Sequence, residues 1–92
     1  MQRIEAETIA LQALAWLAGQ DDLLGVFLGA SGASVGDLAA QAASAEFQGA
    51  VLDFLTMDDA WVIAFCDAHG LKYEAPMMAR QALPGGAQIN WT

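Results

Sequence analysis

Apolar residues recur along this chain at intervals of three and four, in short runs broken by Gly, Ser and Asp, which is the spacing of amphipathic helices and not of strands. The first run predicts a helix from Ile4 to Ala18, stopped by Gly19, with Ile4, Leu11, Leu14, Leu17 and Ala18 on one face. Ile9, Ala13 and Trp16 make a second stripe nearly opposite. Asp21 or Asp22 caps a second helix that points Leu24, Phe27 and Leu28 inward and ends near Ala30, at Ser31-Gly32. Ser34-Val35-Gly36-Asp37 has the spacing of a capping box with Asp in place of Glu. A short third helix follows, with Val35, Leu38, Ala39 and Ala42 inward.

Ser44 caps a fourth helix, Ala45 to Leu55, that presents Phe47, Ala50, Val51 and Phe54 to the core and turns Glu46 and Asp53 outward. Asp58 caps a fifth, closed by Gly70 after His69, with Trp61, Val62, Phe65 and Ala68 on one side and Asp59, Ile63 and Asp67 on the other. That fifth helix is expected to be central. Pro76 is placed to open a sixth, with Met77, Arg80 and Leu83 following and Leu83-Pro84-Gly85-Gly86 as its stop. The expected fold is all-α, a compact bundle of five to six short helices. It comprises a single helical domain over residues 1–86 and a C-terminal tail, 87–92, too short to make a sheet alone.

A length of 92 residues leaves room for one core. Although 57% of the residues are apolar, many are Ala, and the longest charge-free stretch, Leu23 to Gly36, is broken by Gly25, Gly29, Ser31, Gly32 and Ser34. No segment reaches the roughly 18 apolar residues of a membrane span. Glu5 and Glu7 stand where a secretory signal would carry its cationic region, and Cys66, the single cysteine, closes no intrachain disulfide, so a cytoplasmic location is expected. The net charge of −8, with Arg3, Lys72 and Arg80 as the fixed cations, repels phosphate backbones and anionic lipid. Neither nucleic acid nor a membrane is expected as a partner.

Helix starts account for most of that acidity. Glu5, Glu7, Asp21, Asp22, Asp37, Glu46, Asp58, Asp59 and Glu74, nine of the eleven acids, fall at or near a predicted N-terminus, where capping and the helix dipole favour them. Asp53 and Asp67 lack that account. Acids scattered over separate helix starts are not the aligned row that a nucleic-acid mimic would present.

Candidate chemistry is sparse. One Cys and one His cannot furnish a structural zinc site, and Asp67 and His69 diverge by about 160° on a helix. The Asp21-Asp22 and Asp58-Asp59 pairs lack the pattern of a calcium loop, and the glycines lack both the dinucleotide fingerprint and the lysine of a phosphate loop. No metal or cofactor is expected. Cys66 and His69, neighbours on one helix surface, are the sole reactive pair to weigh, but a thiol at a helix C-terminus sits at the pole that raises its pKa. His69 has a simpler role as a cation at that C-terminus, packed on Phe65 one turn earlier. Gly25 and Gly29, four apart, would admit a close-packed helix.

What remains is surface. The second stripe of helix one, Ile9, Ala13 and Trp16, either packs inside the domain or meets a partner, and the same alternative holds for Ile89 and Trp91 in the tail. Intrachain packing is the preferred reading for each. Met77 and Met78 could line an adaptable groove or fill gaps.

Leu52-Asp53-Phe54-Leu55, the later Ala82-Leu83-Pro84-Gly85-Gly86, the Ala-Leu pattern of helix one and the Phe27-Leu28 to Gly32 segment together resemble a family of small bacterial, mainly alphaproteobacterial proteins, domain of unknown function 3572. The resemblance implies a helical cytoplasmic protein with no assigned activity and no catalytic residues to carry over. It singles out Asp53, which could accept a hydrogen bond from Arg80 or from a helix N-terminus and so be structural. The leading expectation is a non-enzymatic helical protein–protein interaction module, which either self-associates or binds another protein. The alternatives are a small-ligand or thiol-dependent enzyme built on Cys66 and His69, and an acidic decoy for a DNA-binding protein.

Overall fold

The computed structural model describes residues 1–83 apart from Asp21 and Ala33, and apart from the side chains of Ser31, Val35 and Ala39. Among these residues every regular element is helical: α1 (Arg3–Ala18), α2 (Leu23–Ser31), a 3-10 turn (Val35–Asp37), α3 (Leu38–Gln41), α4 (Ala45–Leu55), α5 (Asp59–His69) and α6 (Ala75–Ala82). The all-α bundle follows, measuring 30 × 27 × 25 Å. Asp21, Pro84, Gly85, Gly86, Ile89 and Trp91 lie outside the described residues.

Local chemistry sets the element ends. The Ser44 hydroxyl accepts from Phe47 N at 3.4 Å and the Asp58 carboxylate from Ala60 N at 2.8 Å, so α4 and α5 start on side-chain caps. Gly32 and Gly70 end α2 and α5 at φ of 77° and 66°, a left-handed conformation that favours glycine. At the third helix the carboxylate of Asp37 reaches back to Ser34, accepting from its N at 3.2 Å and its Oγ at 2.9 Å. These bonds hold the Asp37 carboxyl below its usual range. The segment is nonetheless a 3-10 turn followed by a single α-turn, shorter than its apolar spacing predicts. Asp22 and Glu74 occupy N-cap positions without a side-chain cap, and α6 begins at Ala75 with Pro76 in its second position.

The core is organised around α4, not α5. Phe47, Gln48, Gly49, Val51, Leu52, Phe54 and Leu55 of α4 are all buried, whereas α5 buries only Phe65 and Cys66 and leaves Ala68 exposed. α1, α4 and α6 pack mutually, and α2 lies against α1 and α4. An aromatic row ties the outer helices in: Phe27 meets Phe47 and Phe54 edge to face at 5.6 and 5.4 Å, and Trp61 stacks on Phe54 at 5.0 Å.

The orientation of α1 corrects the sequence expectation. Its buried residues are Ala6, Ile9, Ala10, Ala13 and Leu17. Ile4 and Leu11, expected to face inward, are 74% and 44% exposed. The physical reason is closeness of approach. Ala6, Ala10 and Ala13 present no bulk, so α1 can settle against Ala75 and Ala79 of α6, themselves buried, and the backbones gain contact that larger residues would prevent.

Candidate functional site

Three places carry more than core packing. On the first, the solvent face of α1, Ile4, Thr8, Leu11, Ala15 and Ala18 are all exposed, at alternating steps of four and three. This is the spacing of a coiled-coil seam. None of the five is charged, and Arg3 and Glu7 beside them are paired at 3.2 Å, so the face is close to neutral on an otherwise acidic molecule.

The buried side of the same helix holds the stripe for which a partner was one alternative. Ile9 and Ala13 are buried inside the chain, and Trp16 is half-buried with its ring edge to face against Phe65 at 6.1 Å. In this fold Ile9 and Ala13 belong to the core, and Trp16 packs against it.

The second place joins α4 to α6. Arg80 Nε donates to Asp53 Oδ1 at 2.6 Å, with the Arg80 side chain 16% exposed and that of Asp53 51%. The guanidinium lies over Gly49, one turn before Asp53, so closely that a Cβ there would come within 3.1 Å of Cζ and Nη1. Among the described residues Arg80 Nη1 is buried without a hydrogen-bond partner, as is Gln48 Oε1, while Gln48 Nε2 donates to Ala42 O at 2.9 Å. Sequence reasoning missed Gln48 and Gly49. A buried Gln inside an apolar run and a Gly in mid-helix are the signals that mark them.

Adjoining this pair, with Asp53 in common, lies the third place, an apolar groove of about 210 Å³ lined by Phe27, Ala30, Ala50, Asp53, Phe54 and Met57. Met57, absent from the sequence-based candidates, is 75% exposed at its rim.

Cys66 and His69 have separate partners in the structure. Cys66 is fully buried, its Sγ donates to Lys72 O at 3.3 Å, and burial, followed by the charges of Asp67 and Glu74, pushes the thiol pKa up. A reactive thiol needs exposure and a depressed pKa. His69 is exposed with its ring tilted on Phe65 at 4.8 Å. Nearby, Tyr73 OH donates to Asp67 Oδ1 at 2.8 Å, which raises the phenol pKa and gives Asp67 a partner. Among the described residues no group of three or more His, Cys, Asp or Glu is placed to hold a metal ion, and no helix is long and apolar enough to cross a membrane. A Cβ on Gly25 or Gly29 of α2 would meet nothing within 4 Å among the described residues, so none of the described helices uses the close approach they permit.

A family model for proteins of unknown function, DUF3572, matches residues 3–86. The chain belongs to that family. The DUF3572 match takes in α1 through α6 and stops short of Ile89 and Trp91. No curated protein and no solved structure matches the chain.

Proposed function

We propose that this DUF3572 protein is a non-enzymatic interaction module of the bacterial cytoplasm that pairs with a second copy of itself through the outer face of α1. The observation that carries this is the exposed, uncharged stripe of Ile4, Thr8, Leu11, Ala15 and Ala18 at coiled-coil spacing. Its chemistry also favours a second copy as the occupant. Two bodies of net charge −8 repel over most approaches, and a face whose bordering acid, Glu7, is paired with Arg3 is where they meet at less cost. Ala15 and Ala18 allow two helices to approach closely, while Ile4 and Leu11 supply the apolar area, about 1.5–3 kcal/mol for each such side chain fully buried.

Sedimentation equilibrium over a wide concentration range tests the reading. The expected outcome is a reversible dimer that Leu11→Glu or Ile4→Glu weakens by about tenfold or more, the equivalent of about 1.4 kcal/mol. Both side chains are exposed in the single chain, so the variants keep the wild-type helical circular dichroism. A strict monomer at the highest concentration, or a dimer indifferent to both substitutions, overturns it.

A further inference from the structure

The stripe on α1 is uneven along its length, and its unevenness dictates how a second copy lies on it. Ile4 and Leu11, 74% and 44% exposed, hold the bulk in its first part, while the exposed Ala15 and Ala18 leave the rest shallow. Thr8 adds a methyl between Ile4 and Leu11, since its hydroxyl is already donated to Ile4 O at 3.0 Å. Two such helices laid parallel set like against like. Ile4 and Leu11 then wedge one end apart, and the alanines at the other end lose contact, which forfeits dispersion and leaves a gap. The parallel arrangement also gathers Glu5 and Glu7 of both copies, and both helix N-termini, at the same end.

Reversing one copy removes each of these faults. From Ile4 to Ala15 the stripe steps by four to Thr8, three to Leu11 and four to Ala15, an order that reads the same backwards. A reversed copy therefore matches it step for step when its Ala15 stands opposite Ile4. Ile4 then faces the partner's Ala15 and Leu11 faces the partner's Thr8, each twice about the two-fold axis. Every layer sets a larger side chain on a smaller one, and the helix axes stay evenly spaced. Beside the stripe, Glu5 and Glu7 come opposite the partner's Gln12 and the partner's Leu14, so no acid opposes an acid. Sliding the copies by one heptad sets Ile4 against the partner's Asp22, beyond the end of α1, and takes Ile4 out of the seam. On the reading that α1 mediates self-association, we infer that two copies pair antiparallel about an axis between Thr8 and Leu11, with Ile4 of each packed on the partner's Ala15. The stripe is thereby complementary to itself, as an interface between two copies of one chain requires.

Disulfide trapping in the full chain tests the orientation. Ile4→Cys and Ala15→Cys change exposed positions, and the native Cys66 is buried, so the wild type is expected to give no cross-link. The two variants are mixed under reducing conditions and transferred to a glutathione redox buffer, and the products are resolved by mass. A disulfide needs Cα atoms roughly 4.4–6.8 Å apart. In the antiparallel register residue 4 meets the partner's residue 15, whereas 4 and 4, or 15 and 15, are offset by about 16–17 Å along the helices. The mixed species is therefore expected to exceed either like pair by about tenfold or more, against the roughly twofold excess of random pairing. Sedimentation equilibrium supplies a second readout. Ala15→Leu crowds the partner's Ile4 and should weaken the dimer by about fivefold or more, and adding Ile4→Ala to the same chain should recover most of the loss. In a parallel pair Ala15→Leu would instead fill the gap and strengthen association. An excess of like pairs, or a dimer strengthened by Ala15→Leu, overturns the antiparallel arrangement and leaves pairing through α1 standing. A wild type that stays monomeric at the highest concentration overturns both.

Discussion

Gly49 shows how one missing side chain arranges a polar contact inside an apolar bundle. Glycine in the middle of a helix costs about 0.5–1 kcal/mol relative to alanine, yet at this position a Cβ would press on the Arg80 guanidinium at 3.1 Å. Arg80 has little freedom to yield, being held by Asp53 at 2.6 Å with Nη1 buried. The two effects oppose each other, and a double-mutant cycle separates them. Gly49→Ala in the wild type is expected to show no net stabilisation, because displaced packing of about 1 kcal/mol or more offsets the helix gain. In an Arg80→Ala background the same change should stabilise by about 0.5–1 kcal/mol. Equal effects in both backgrounds, measured by urea unfolding, would show that Arg80 does not depend on the glycine. Asp53 itself was legible as an exception: once helix starts explained nine acids, it and Asp67 stood out, and each has a hydrogen-bonded partner in Arg80 or Tyr73. Gln48 and Gly49 were harder to see, because their meaning depends on how α6 crosses α4.

At the scale of elements, caps and glycine stops located the helices well, since they are local chemistry: Ser44, Asp58, Gly32 and Gly70 act within one turn of where they stand. Which helix is central and which face is buried were less legible, because both depend on neighbours far along the chain. In α1 the larger apolar residues suggested an inward Ile4 and Leu11, and the bundle chose the small-residue face instead. α2 presents the reverse case. Gly25 and Gly29 are exposed and a Cβ at either would meet nothing within 4 Å. With no packing role among the described residues, they act as weak helix formers, and Gly25→Ala and Gly29→Ala should each stabilise by about 0.5–1 kcal/mol. A loss of stability in thermal unfolding at low concentration would mean that the open face of α2 makes contacts beyond those seen here.

For the whole molecule, charge and shape act on the same equilibrium. A net charge of −8 on a body 30 × 27 × 25 Å makes most approaches between copies repulsive. The seam on α1 contributes no charge, and its flanking Arg3 is already paired with Glu7 of the same helix. The proposed pairing through it would therefore form no intermolecular salt bridge for electrolyte to weaken, while the repulsion between the remaining acids would be screened. The Debye length falls from about 30 Å at 0.01 M salt, comparable with the molecule, to about 3 Å at 1 M. Self-association should consequently strengthen as sodium chloride rises across that range. A change remote from the seam provides the control: Asp59→Asn, at an exposed position in the first turn of α5, removes one negative charge per copy and should strengthen the dimer at low salt but hardly at high salt. Association that weakens with salt would instead require charge pairing across the interface, and so place the contact on a face other than the outer side of α1.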